Sequence, residues 1–383
     1  MSEVVLNDIC ELIVDCPHST AYDEGTGYPL VRTPNIGRGR LIYSGMHRVC
    51  EEVYNKRNAR AIPQTNDLIF AREATAGNVA LIQEGEKVCL GQRTVLIRPN
   101  ANLVNPAFLT YHLLAPEQQY KLLSTANGAT VAHVNMPTIR NLKLSLPPLA
   151  TQHRIATILS RYDSLIENYQ KQIKLLEEAA QRLYKEWFVD LHFPGHENTN
   201  IIDGVPEGWK KMPVDSIYSI KYGKNLSTKL ITPTGKYPVY GANGVIGYYN
   251  VANCNNQVVL ITSRGNGSGD VLMTYHKDSF ITNNSFVVSP LDDYSYCQLP
   301  FTYQFLKNAN FRAVRTGAAQ PQLTNQSIHT VDVILPSKGI IIDYCNKAFY
   351  SNKKIIILRI QIRLLTEARD RLLPKLMSGE ITV

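Results

Sequence analysis

The sequence predicts an α+β protein in which a pair of long antiparallel helices separates two mixed α/β globular domains. The first observation is an internal repeat: Leu144-Ser145-Leu146-Pro147 returns as Val333-Ile334-Leu335-Pro336, 189 positions later. The second is a helical segment in each copy, because residues 173–179 return as residues 362–368 at the same offset. A repeat that keeps one offset through a globular part and a helix indicates a pseudo-two-fold object.

The repeat begins near Gly128-Ala129-Thr130 in the first copy and Gly317-Ala318-Ala319 in the second. Farther upstream the offset changes. If Val5-Leu6 corresponds to Pro213-Val214, the offset there is 208, so the first globular segment is 19 residues longer (208 minus 189). The two halves therefore share a frame and differ in what that frame holds.

Four segments follow from this repeat. Residues 1–148 form the first globular domain, 149–196 the central helix, 197–338 the second globular domain and 339–383 the C-terminal helix. A hydrophobic content of 44% is ordinary for globular proteins and allows a sizeable core in each half.

Short apolar runs bounded by Gly, Asn or Pro predict the strands of each globular domain. In the first domain these runs are residues 67–70, 79–82, 94–97 and 142–146, and residues 106–123 have helical spacing. In the second domain they are residues 258–261, 280–282, 286–288 and 331–334, with a short helix at 299–306. The same order of elements is therefore expected twice.

Apolar residues recur every seven positions in two rows along each helical segment, which is the spacing of coiled-coil packing. In the first helix the rows are Ile155, Tyr162, Tyr169, Leu176, Leu183 and Leu159, Ile166, Ile173, Ala180, Trp187. In the second they are Tyr344, Ser351, Leu358, Leu365, Leu372 and Ala348, Ile355, Ile362, Arg369, Leu376. We expect the two helices to pair; the alternative is that each packs only on its own domain.

Three details concern the second seam and the helix ends. Ser351 and Arg369 are polar intrusions that weaken the second seam. Pro374 is expected to kink or end the second helix, because proline lacks the backbone N–H that the helix needs. Gly195 and Gly379 are expected to follow the last helical residues, as glycine often does.

The net charge of +8 and the isoelectric point near 9.0 favour a polyanionic partner, with nucleic acid first. Seven scattered cysteines without a Cys-x-x-Cys pair favour free thiols in a reducing compartment. The N-terminus lacks the pattern of a signal peptide, and no apolar run approaches about 18 residues. We therefore expect a cytoplasmic chain without a membrane segment, metal or cofactor.

The motifs of common enzyme classes are missing from the sequence. It contains no phosphate-binding Gly-x-x-x-x-Gly-Lys-Ser/Thr loop, no Gly-x-Ser-x-Gly elbow and no His-Glu-x-x-His. It also lacks the Asn/Asp-Pro-Pro-aromatic motif of adenine methyltransferases. Residues 265–269 are glycine-rich, but a phosphate site needs a helix directly after the loop, so a turn is the simpler interpretation.

Loops in both globular domains carry side chains suited to the edges of DNA bases. Arginine can bind guanine and asparagine can bind adenine through paired hydrogen bonds, and glycine permits close approach. The candidate DNA-contacting residues are Arg32, Asn35, Arg38, Arg40, Arg72, Thr75 and Asn78 in the first half, and Lys224, Tyr240, Asn243, Arg264, Asn266 and Ser268 in the second. Each taken alone is more typical of a solvated loop residue; as a matched set they favour DNA contact.

Three further segments are distinctive: Leu146-Pro147-Pro148-Leu149 with Gln152 and Ile155, Arg182-Leu183-Tyr184-Lys185-Glu186-Trp187-Phe188, and Leu372-Leu373-Pro374-Lys375-Leu376-Met377-Ser378-Gly379-Glu380-Ile381. Through these segments the chain resembles the DNA-specificity (S) subunits of bacterial type I restriction-modification systems over essentially its full length. Tyr237-Pro238-Val239-Tyr240-Gly241-Ala242-Asn243-Gly244 also resembles the opening of a recognition domain in this family.

This resemblance implies two target-recognition domains that each read one half of a split double-stranded DNA sequence. It implies antiparallel helices whose length fixes the unread spacer, two methyltransferase subunits as partners, and restriction subunits as optional further partners. Adenine-N6 methylation and ATP-driven cleavage then belong to the partners, which would bind S-adenosylmethionine, ATP and Mg. The chain itself is expected to be non-catalytic.

Two other functions are compatible with the same residues. One is an adaptor whose helices join two protein-binding modules without any role in DNA binding. The other is a nuclease or methyltransferase with unrecognised motifs, which activity assays on the isolated chain would detect.

Overall fold

The computed structural model describes residues 2–124, 133–317 and 320–383. It divides into two compact units: unit 1 comprises Met1–Glu167 with Leu364–Val383, and unit 2 comprises Asn168–Arg363. Each unit therefore takes a globular part and a portion of both long helices. Gly128-Ala129-Thr130 and Ala318-Ala319, part of the sequence repeat, lie outside the described residues.

The globular part of unit 1 contains nine strands and four short helices among its described residues. The strands are β1 (Ser2–Val5), β2 (Cys10–Asp15), β3 (Tyr28–Val31), β4 (His47–Val49), β5 (Leu68–Ala71), β6 (Val79–Leu81), β7 (Cys89–Leu90), β8 (Thr94–Pro99) and β9 (Lys143–Leu146). The helices are α1 (Glu51–Arg57), α2 (Pro106–Leu114), α3 (Pro116–Ser124) and α4 (Met136–Arg140). The first long helix, α5 (Leu149–Phe188), follows.

Unit 2 repeats this order of elements. Its strands are β10 (Ile201–Ile202), β11 (Val205–Pro206), β12 (Lys210–Pro213), β13 (Tyr218–Tyr222), β14 (Tyr237–Gly241), β15 (Gly244–Tyr249), β16 (Val259–Thr262), β17 (Val271–Met273), β18 (Phe280–Ile281), β19 (Ser285–Pro290) and β20 (Asp332–Leu335). Its helices are α6 (Leu299–Asn308), α7 (Asn325–His329) and the second long helix, α8 (Lys338–Ser378).

The two units have the same sheet topology. In unit 1 a four-stranded sheet has the order β2-β8-β5-β6 and a three-stranded sheet the order β4-β3-β7. In unit 2 the corresponding orders are β13-β19-β16-β17 and β15-β14-β18. Each small sheet has one parallel pair, β3 with β7 and β14 with β18. The internal repeat therefore extends from the sequence to the strand order.

The register of the closing ladders reproduces both offsets of the sequence repeat. Val5 pairs with Lys143 in β1–β9, and Pro213 pairs with Asp332 in β12–β20. Val5 and Pro213 are 208 positions apart in the sequence, whereas Lys143 and Asp332 are 189 positions apart. The proposed correspondence of Val5 with Pro213 is confirmed, because both residues hold the same place in equivalent ladders.

The extra length of unit 1 lies on either side of β4. Tyr28 pairs with Val49, 21 positions on, whereas Tyr237 pairs with Tyr249, 12 positions on. The loop between the first two strands of the small sheet is thus nine residues longer in unit 1 (21 minus 12). A second excess of nine residues follows β4, where α1 lies before β5.

The four-stranded sheet of each unit is buried on both faces. In β5, Leu68 and Phe70 join a core formed with the helices, whereas Ile69 and Ala71 join a core formed with the small sheet. In β16, Val259 and Leu260 divide in the same way. This alternation follows from the two-residue period of a strand. Each unit therefore has three layers: helices, large sheet and small sheet.

Asparagine and proline define the start of α2, and proline also ends it. The Asn105 side chain accepts a hydrogen bond from the Phe108 backbone N–H, and Pro106 occupies the first helical turn. The single helix predicted for residues 106–123 is wrong: Ala115 is extended (φ −66°, ψ 146°), and α3 starts at Pro116. A residue before proline avoids the helical region, which divides the segment in two.

The structure decides two expectations about helix ends. Of the two outcomes expected at Pro374, an end of the helix is wrong: α8 continues to Ser378, and Leu373 and Leu376 are buried in the unit 1 core on either side of the proline. Gly195 does not end α5, which stops at Phe188. Leu191 takes the left-handed conformation there (φ 62°) and packs on the unit 2 core, so burial replaces the usual glycine.

The long helices pack against each other antiparallel within each unit. In unit 2, Trp187 lies against Tyr344 with ring centroids 5.9 Å apart, whereas Ile173 clusters with Ile355 and Leu358. Residues nearer the start of α5 therefore contact residues nearer the end of α8, so the two helices run antiparallel. Partly buried side chains complete that cluster: Tyr169, Leu176 and Ile362. Leu183 is partly buried against the unit 2 core.

In unit 1 the helices share the core of the globular part. Its buried helix residues are Ile155, Ala156, Leu159, Leu373 and Leu376, with Leu372 partly buried. Along the same stretch Ile166 is buried, and Tyr162 and Leu365 are half-buried. Leu373 lies outside both predicted rows. The buried face of α8 therefore includes residues that strict seven-residue spacing does not predict.

Candidate nucleic-acid interface

In unit 1 two loops form one surface. The first follows β3 (residues 32–42), and the second is the hairpin loop between β5 and β6 (residues 72–78). The Thr75 hydroxyl donates to the Thr33 carbonyl (3.2 Å), and the Asn78 amide donates to the Ile36 carbonyl (2.9 Å). These bonds hold the loops together, and we call the result loop surface 1.

Unit 2 builds an equivalent surface from the turn between β14 and β15 (residues 241–244) and the hairpin loop between β16 and β17 (residues 263–270). The Thr262 hydroxyl donates to the Ala242 carbonyl (2.7 Å). A Cβ at Gly267 would lie 3.2 Å from Asn243 Oδ1, so glycine permits the two segments to meet. We call this loop surface 2.

The same backbone bond anchors both hairpin loops. The Val134 N–H donates to the Arg72 carbonyl (3.0 Å), and the Leu323 N–H donates to the Ser263 carbonyl (2.8 Å). Val134 and Leu323 are 189 positions apart, in register with the repeat. The two hairpin loops are therefore held at equivalent places in the two units.

Six of the thirteen candidate residues expose their side chains. They are Arg38 and Thr75 on loop surface 1, Asn243, Arg264 and Asn266 on loop surface 2, and Lys224 just after β13. Arg38 also donates a hydrogen bond to the Leu114 carbonyl (3.1 Å), which orients it without burying it. These six residues are sterically available to a ligand on the loop surfaces.

Arg72 and Asn35 are not available, and their assignment to base contact is corrected. Arg72 is 8% exposed and forms an ion pair with Asp15 (2.8 Å). Asn35 is 1% exposed; its amide donates to the Ile42 carbonyl (3.1 Å) and its Oδ1 accepts from the Arg32 N–H (3.2 Å). Both side chains fix the shape of loop surface 1 from inside.

Tyr240 and Ser268 are corrected for the same reason. Ser268 is fully buried, and its hydroxyl donates to the Ser263 carbonyl (3.3 Å) across the hairpin loop. Tyr240 is 2% exposed, and its hydroxyl lies 3.2 Å from His276 Nδ1. Burial raises the pKa of Tyr240 and lowers the pKa of His276 to about 4, so this hydrogen bond joins a neutral phenol to a neutral ring.

The three remaining candidates are half-buried and brace loop surface 1. The Arg32 guanidinium donates to the Gly45 carbonyl (2.9 Å). Arg40 forms an ion pair with Glu167 of α5 (2.6 Å). With the Asn78 amide on Ile36, these contacts attach the loop to unit 1 and limit how far each side chain can reach.

Two exposed cations beside the hairpin loops were missed from the sequence. Arg93 pairs with Glu73 next to loop surface 1, and Arg312 pairs with Asp270 on loop surface 2. Neither belongs to a local motif. Arg93 precedes β8 and Arg312 lies in a turn after α6, so only the tertiary fold brings them to the loops. A search of the sequence for basic residues would find both arginines but would not show that they lie beside the hairpin loops.

Within the described ranges, no group of three or more His, Cys, Asp or Glu side chains is arranged to hold a metal ion. None of the helices described has the length and apolar content needed to cross a membrane. The exposed candidate residues on the loop surfaces carry amide, hydroxyl and guanidinium groups, a set that suits hydrogen bonding to base edges and phosphates.

Comparison with known proteins gives one consistent result. Residues 1–178 and 206–358 match the family described as "Type I restriction modification DNA specificity domain". The chain is 25% identical to the type I restriction enzyme MjaIX specificity subunit of Methanocaldococcus jannaschii, covering 99% of this chain and 93% of the relative. It is 23% identical to the HindI specificity subunit of Haemophilus influenzae, covering 75% and 80% respectively.

A solved structure supports the fold. The crystal structure of the S subunit of a type I restriction-modification system from M. genitalium superposes with a TM-score of 0.57. The two sequences are 18% identical, and the alignment covers 98% of this chain and 95% of that chain. At this identity the likeness concerns the arrangement of elements and not the residues of the loops.

Proposed function

We propose, from the premise that the chain belongs to the family of type I restriction-modification DNA specificity domains, that each loop surface reads one half of a bipartite DNA target. The family establishes that the function is DNA recognition within a type I system. An adaptor without a DNA role is not favoured. The observation that carries the bipartite proposal is the pair of equivalent loop surfaces on one repeated frame.

The two surfaces have different side chains at equivalent places, so we infer that they read different half-sites. On loop surface 2, Arg264 and Asn266 occupy an exposed hairpin loop that has glycine on both sides of Asn266. Arg264 is suited to guanine and Asn266 to adenine in the major groove. On loop surface 1, Arg38 and Thr75 are the exposed counterparts.

Lys224 and the loop-edge cations have a different proposed role. A lysine contacts phosphate as a point charge, which gives affinity without sequence information. Arg93 and Arg312 already neutralise Glu73 and Asp270. We propose that these pairs keep the acidic side chains from repelling the DNA backbone.

The chain has DNA and a methyltransferase as partners, and we propose two methyltransferase subunits, one for each repeat. Restriction subunits would join where the host encodes them. S-adenosylmethionine, ATP and Mg would bind those partners, which would carry adenine-N6 methylation and ATP-dependent cleavage. The chain would supply the position of the target and no catalytic group.

The long helices contribute to both units, which supports a role in spacing. Helix α5 has 40 residues and α8 has 41. Residues of each helix belong to both compact units. We propose that this shared length sets the number of unread bases between the two half-sites.

Substitution of single loop residues tests the proposed roles. Arg264→Ala should weaken binding of the methyltransferase complex to its target duplex by about 1–3 kcal/mol and relax specificity at one position. Lys224→Ala should weaken binding to all sequences alike and lower the slope of log K against log salt by about 1. Fluorescence anisotropy with target and scrambled duplexes measures both.

Lys210→Ala provides a matched control, because Lys210 is an exposed cation on β12, outside loop surface 2. We expect it to leave the specificity unchanged. Equal losses for Arg264→Ala on target and scrambled duplexes would rule out the base-reading role of Arg264.

A further inference from the structure

Unit 2 contains a cavity of about 290 Å³ between its globular part and its share of the long helices. Its lining includes Leu272 and Met273 of β17, Gln304 of α6, Ala180 of α5 and Asn352 of α8. Its volume is at the lower end of the range that holds small ligands or short peptide segments.

The equivalent place in unit 1 can be identified from the repeat. The helix offset of 189 relates Asn352 to Asp163 and relates Ala180 to Arg369. The capping residues Asn105 and Gln298 align α2 with α6, which relates Gln304 to Tyr111. Three side chains that line the cavity in unit 2 therefore have defined counterparts in unit 1.

In unit 1 those counterparts form a closed cluster. Asp163 is 3% exposed and accepts hydrogen bonds from the Tyr111 hydroxyl (2.5 Å) and the Arg369 guanidinium (2.5 Å). Gly39 lies directly against them: a Cβ there would be 3.2 Å from Asp163 Oδ2 and 3.7 Å from Tyr111 Cε1. The loop after β3 thus fills the space that is open in unit 2.

Gly39 fills this space at the tip of a tight turn. Residues 36–41 fold back on themselves, because Ile36 forms an antiparallel bridge with Leu41 and the Gly37 N–H donates to the Arg40 carbonyl (2.9 Å). The Gly39 N–H donates to the Val79 carbonyl (2.8 Å) and its carbonyl accepts from the Leu81 N–H (3.2 Å), which makes a parallel bridge to Ala80 on the outer edge of β6. Unit 1 therefore covers this edge with one turn of its own chain.

The corresponding edge in unit 2 has no such segment. The strand β17 ends its sheet, and among the described residues no bridge is formed on its outer side. Leu260 pairs with Leu272, so by the alternation of antiparallel bonds the Val271 carbonyl and the Met273 N–H point outward. The loop that fills unit 1 is nine residues shorter here, which leaves this edge uncovered.

The cavity differs from its filled counterpart in charge. Asn352 and Ala180 replace the Asp163–Arg369 ion pair, and Gln304 replaces Tyr111. Gln304 is 5% exposed, and no hydrogen-bond partner of its Oε1 is found among the described residues. Glu177 and Arg359 also line the cavity but neutralise each other (2.6 Å). An occupant should thus be uncharged and should donate a hydrogen bond to Gln304.

We propose that this cavity binds an uncharged segment of a partner protein that is folded into a tight turn, whose tip adds to the edge of β17 as Gly39 adds to β6 in unit 1. The segment places a small residue where Gly39 lies in unit 1. It bonds through its backbone to Val271 and Met273, and it donates a side-chain or backbone group to Gln304. Strand addition to an open edge is a common mode of peptide recognition.

A peptide copied from the chain itself tests this proposal on the full-length protein. The probe is a capped hexapeptide with the sequence of residues 36–41, in which both arginines are replaced by glutamine. We expect saturable binding by isothermal titration, at least tenfold tighter than for the same peptide with valine at the Gly39 position. The parent peptide with its arginines should bind more weakly than the neutral one.

Three variants locate the site. Ala180→Met, which fills the cavity, should weaken peptide binding at least tenfold, and Gln304→Leu should weaken it about fivefold. Gln181→Met is the matched control, because Gln181 is the exposed neighbour on the same helix, and it should change nothing. No binding of either hexapeptide at millimolar concentration would overturn the proposal, as would binding that is insensitive to Ala180→Met.

Amide hydrogen exchange gives an independent readout. In the free protein the Leu81 amide should exchange more slowly than the Met273 amide, because only the former has an outer partner. Addition of the neutral peptide should slow exchange at Met273 and leave Leu81 unchanged. Protection of Met273 equal to that of Leu81 without peptide would contradict an open edge.

Discussion

Units 1 and 2 share a strand order and differ in the loop that joins the first two strands of the small sheet. In unit 1 this loop is nine residues longer, and Gly39 on it contacts the Asp163–Arg369 pair and the edge of β6. In unit 2 a tight turn replaces the loop, and a cavity lies at the same place. The length of this loop therefore decides whether the edge of the large sheet is covered by the chain itself or borders an open cavity.

The same difference appears in the chemistry of the buried positions. In unit 1 the Asp163–Arg369 pair joins α5 to α8, and the Arg40–Glu167 pair joins loop surface 1 to α5. The equivalent positions of the first pair in unit 2 are Asn352 and Ala180, which carry no charge. A loop that is held by an ion pair has little freedom, whereas an uncovered edge can receive a partner.

The largest expected effect concerns the buried pair of unit 1. Asp163→Ala removes the ion pair of Asp163 with the half-buried Arg369 guanidinium, which keeps Asp370 as a partner, and removes the acceptor of the Tyr111 hydroxyl. We expect unit 1 to lose about 3 kcal/mol of stability, because the cation loses its buried partner and the buried hydroxyl loses its acceptor. Hydrogen exchange of β8 amides measures the opening free energy of this unit.

Asn352→Ala is the matched change in unit 2. We expect it to cost less than about 1 kcal/mol at β19 amides, because no charge is left unpaired. Equal losses of stability in the two units would show that the charged cluster of unit 1 has no special role.

An effect of similar total size, which develops only as the pH falls, concerns His112, whose equivalent in unit 2 is Phe305. The His112 ring is 3% exposed and stacks on Phe108, and neither ring nitrogen has a hydrogen-bond partner in the part of the chain that the structure describes. Desolvation lowers its pKa to about 4. Between pH 6.5 and 4 the unfolded chain binds a proton that the folded chain does not, so unit 1 loses stability as the pH falls, by about 3 kcal/mol in total.

His112→Phe copies unit 2 and should remove this acid sensitivity. At pH 7 it should also stabilise unit 1 by about 1 kcal/mol, because two unpaired nitrogens leave the core. Chemical denaturation between pH 7 and 4.5 measures both changes. The pKa of His276 in unit 2 is also lowered to about 4, by burial and by the charge of Arg363, so acid sensitivity of unit 2 should persist. A variant whose unit 1 remains as acid-sensitive as the parent would exclude His112 as the cause.

Periodicity and repetition predicted the frame of this protein well. Seven-residue spacing identified both long helices, and a constant offset identified the closing ladders, because these features depend on local sequence. The change of offset to 208 also located the longer unit 1, although it could not show that the extra residues divide equally around β4. Proline signals were less dependable: Pro116 divided a helix, but Pro374 did not end one.

The loop residues were predicted less well, because burial depends on contacts between distant segments. Arg72 and Asn35 have the residue types of base readers, yet Asp15 and Ile42 engage them inside the fold. Arg369 was interpreted as an intrusion in a seam, whereas its partner Asp163 lies 206 positions earlier. Residue type selected the candidate loops, and only the tertiary structure separates their outer side chains from their inner ones.

The central claim is that two units with the same strand order carry loop surfaces that recognise different DNA half-sites. It is tested most directly by single-molecule methylation mapping of DNA modified by the full chain with its methyltransferase partner, for the parent and for the Arg264→Ala/Asn266→Ala variant. The account predicts one motif with two defined halves around an undefined spacer, and a variant that relaxes one half only. A continuous motif, or relaxation of both halves together, would contradict it.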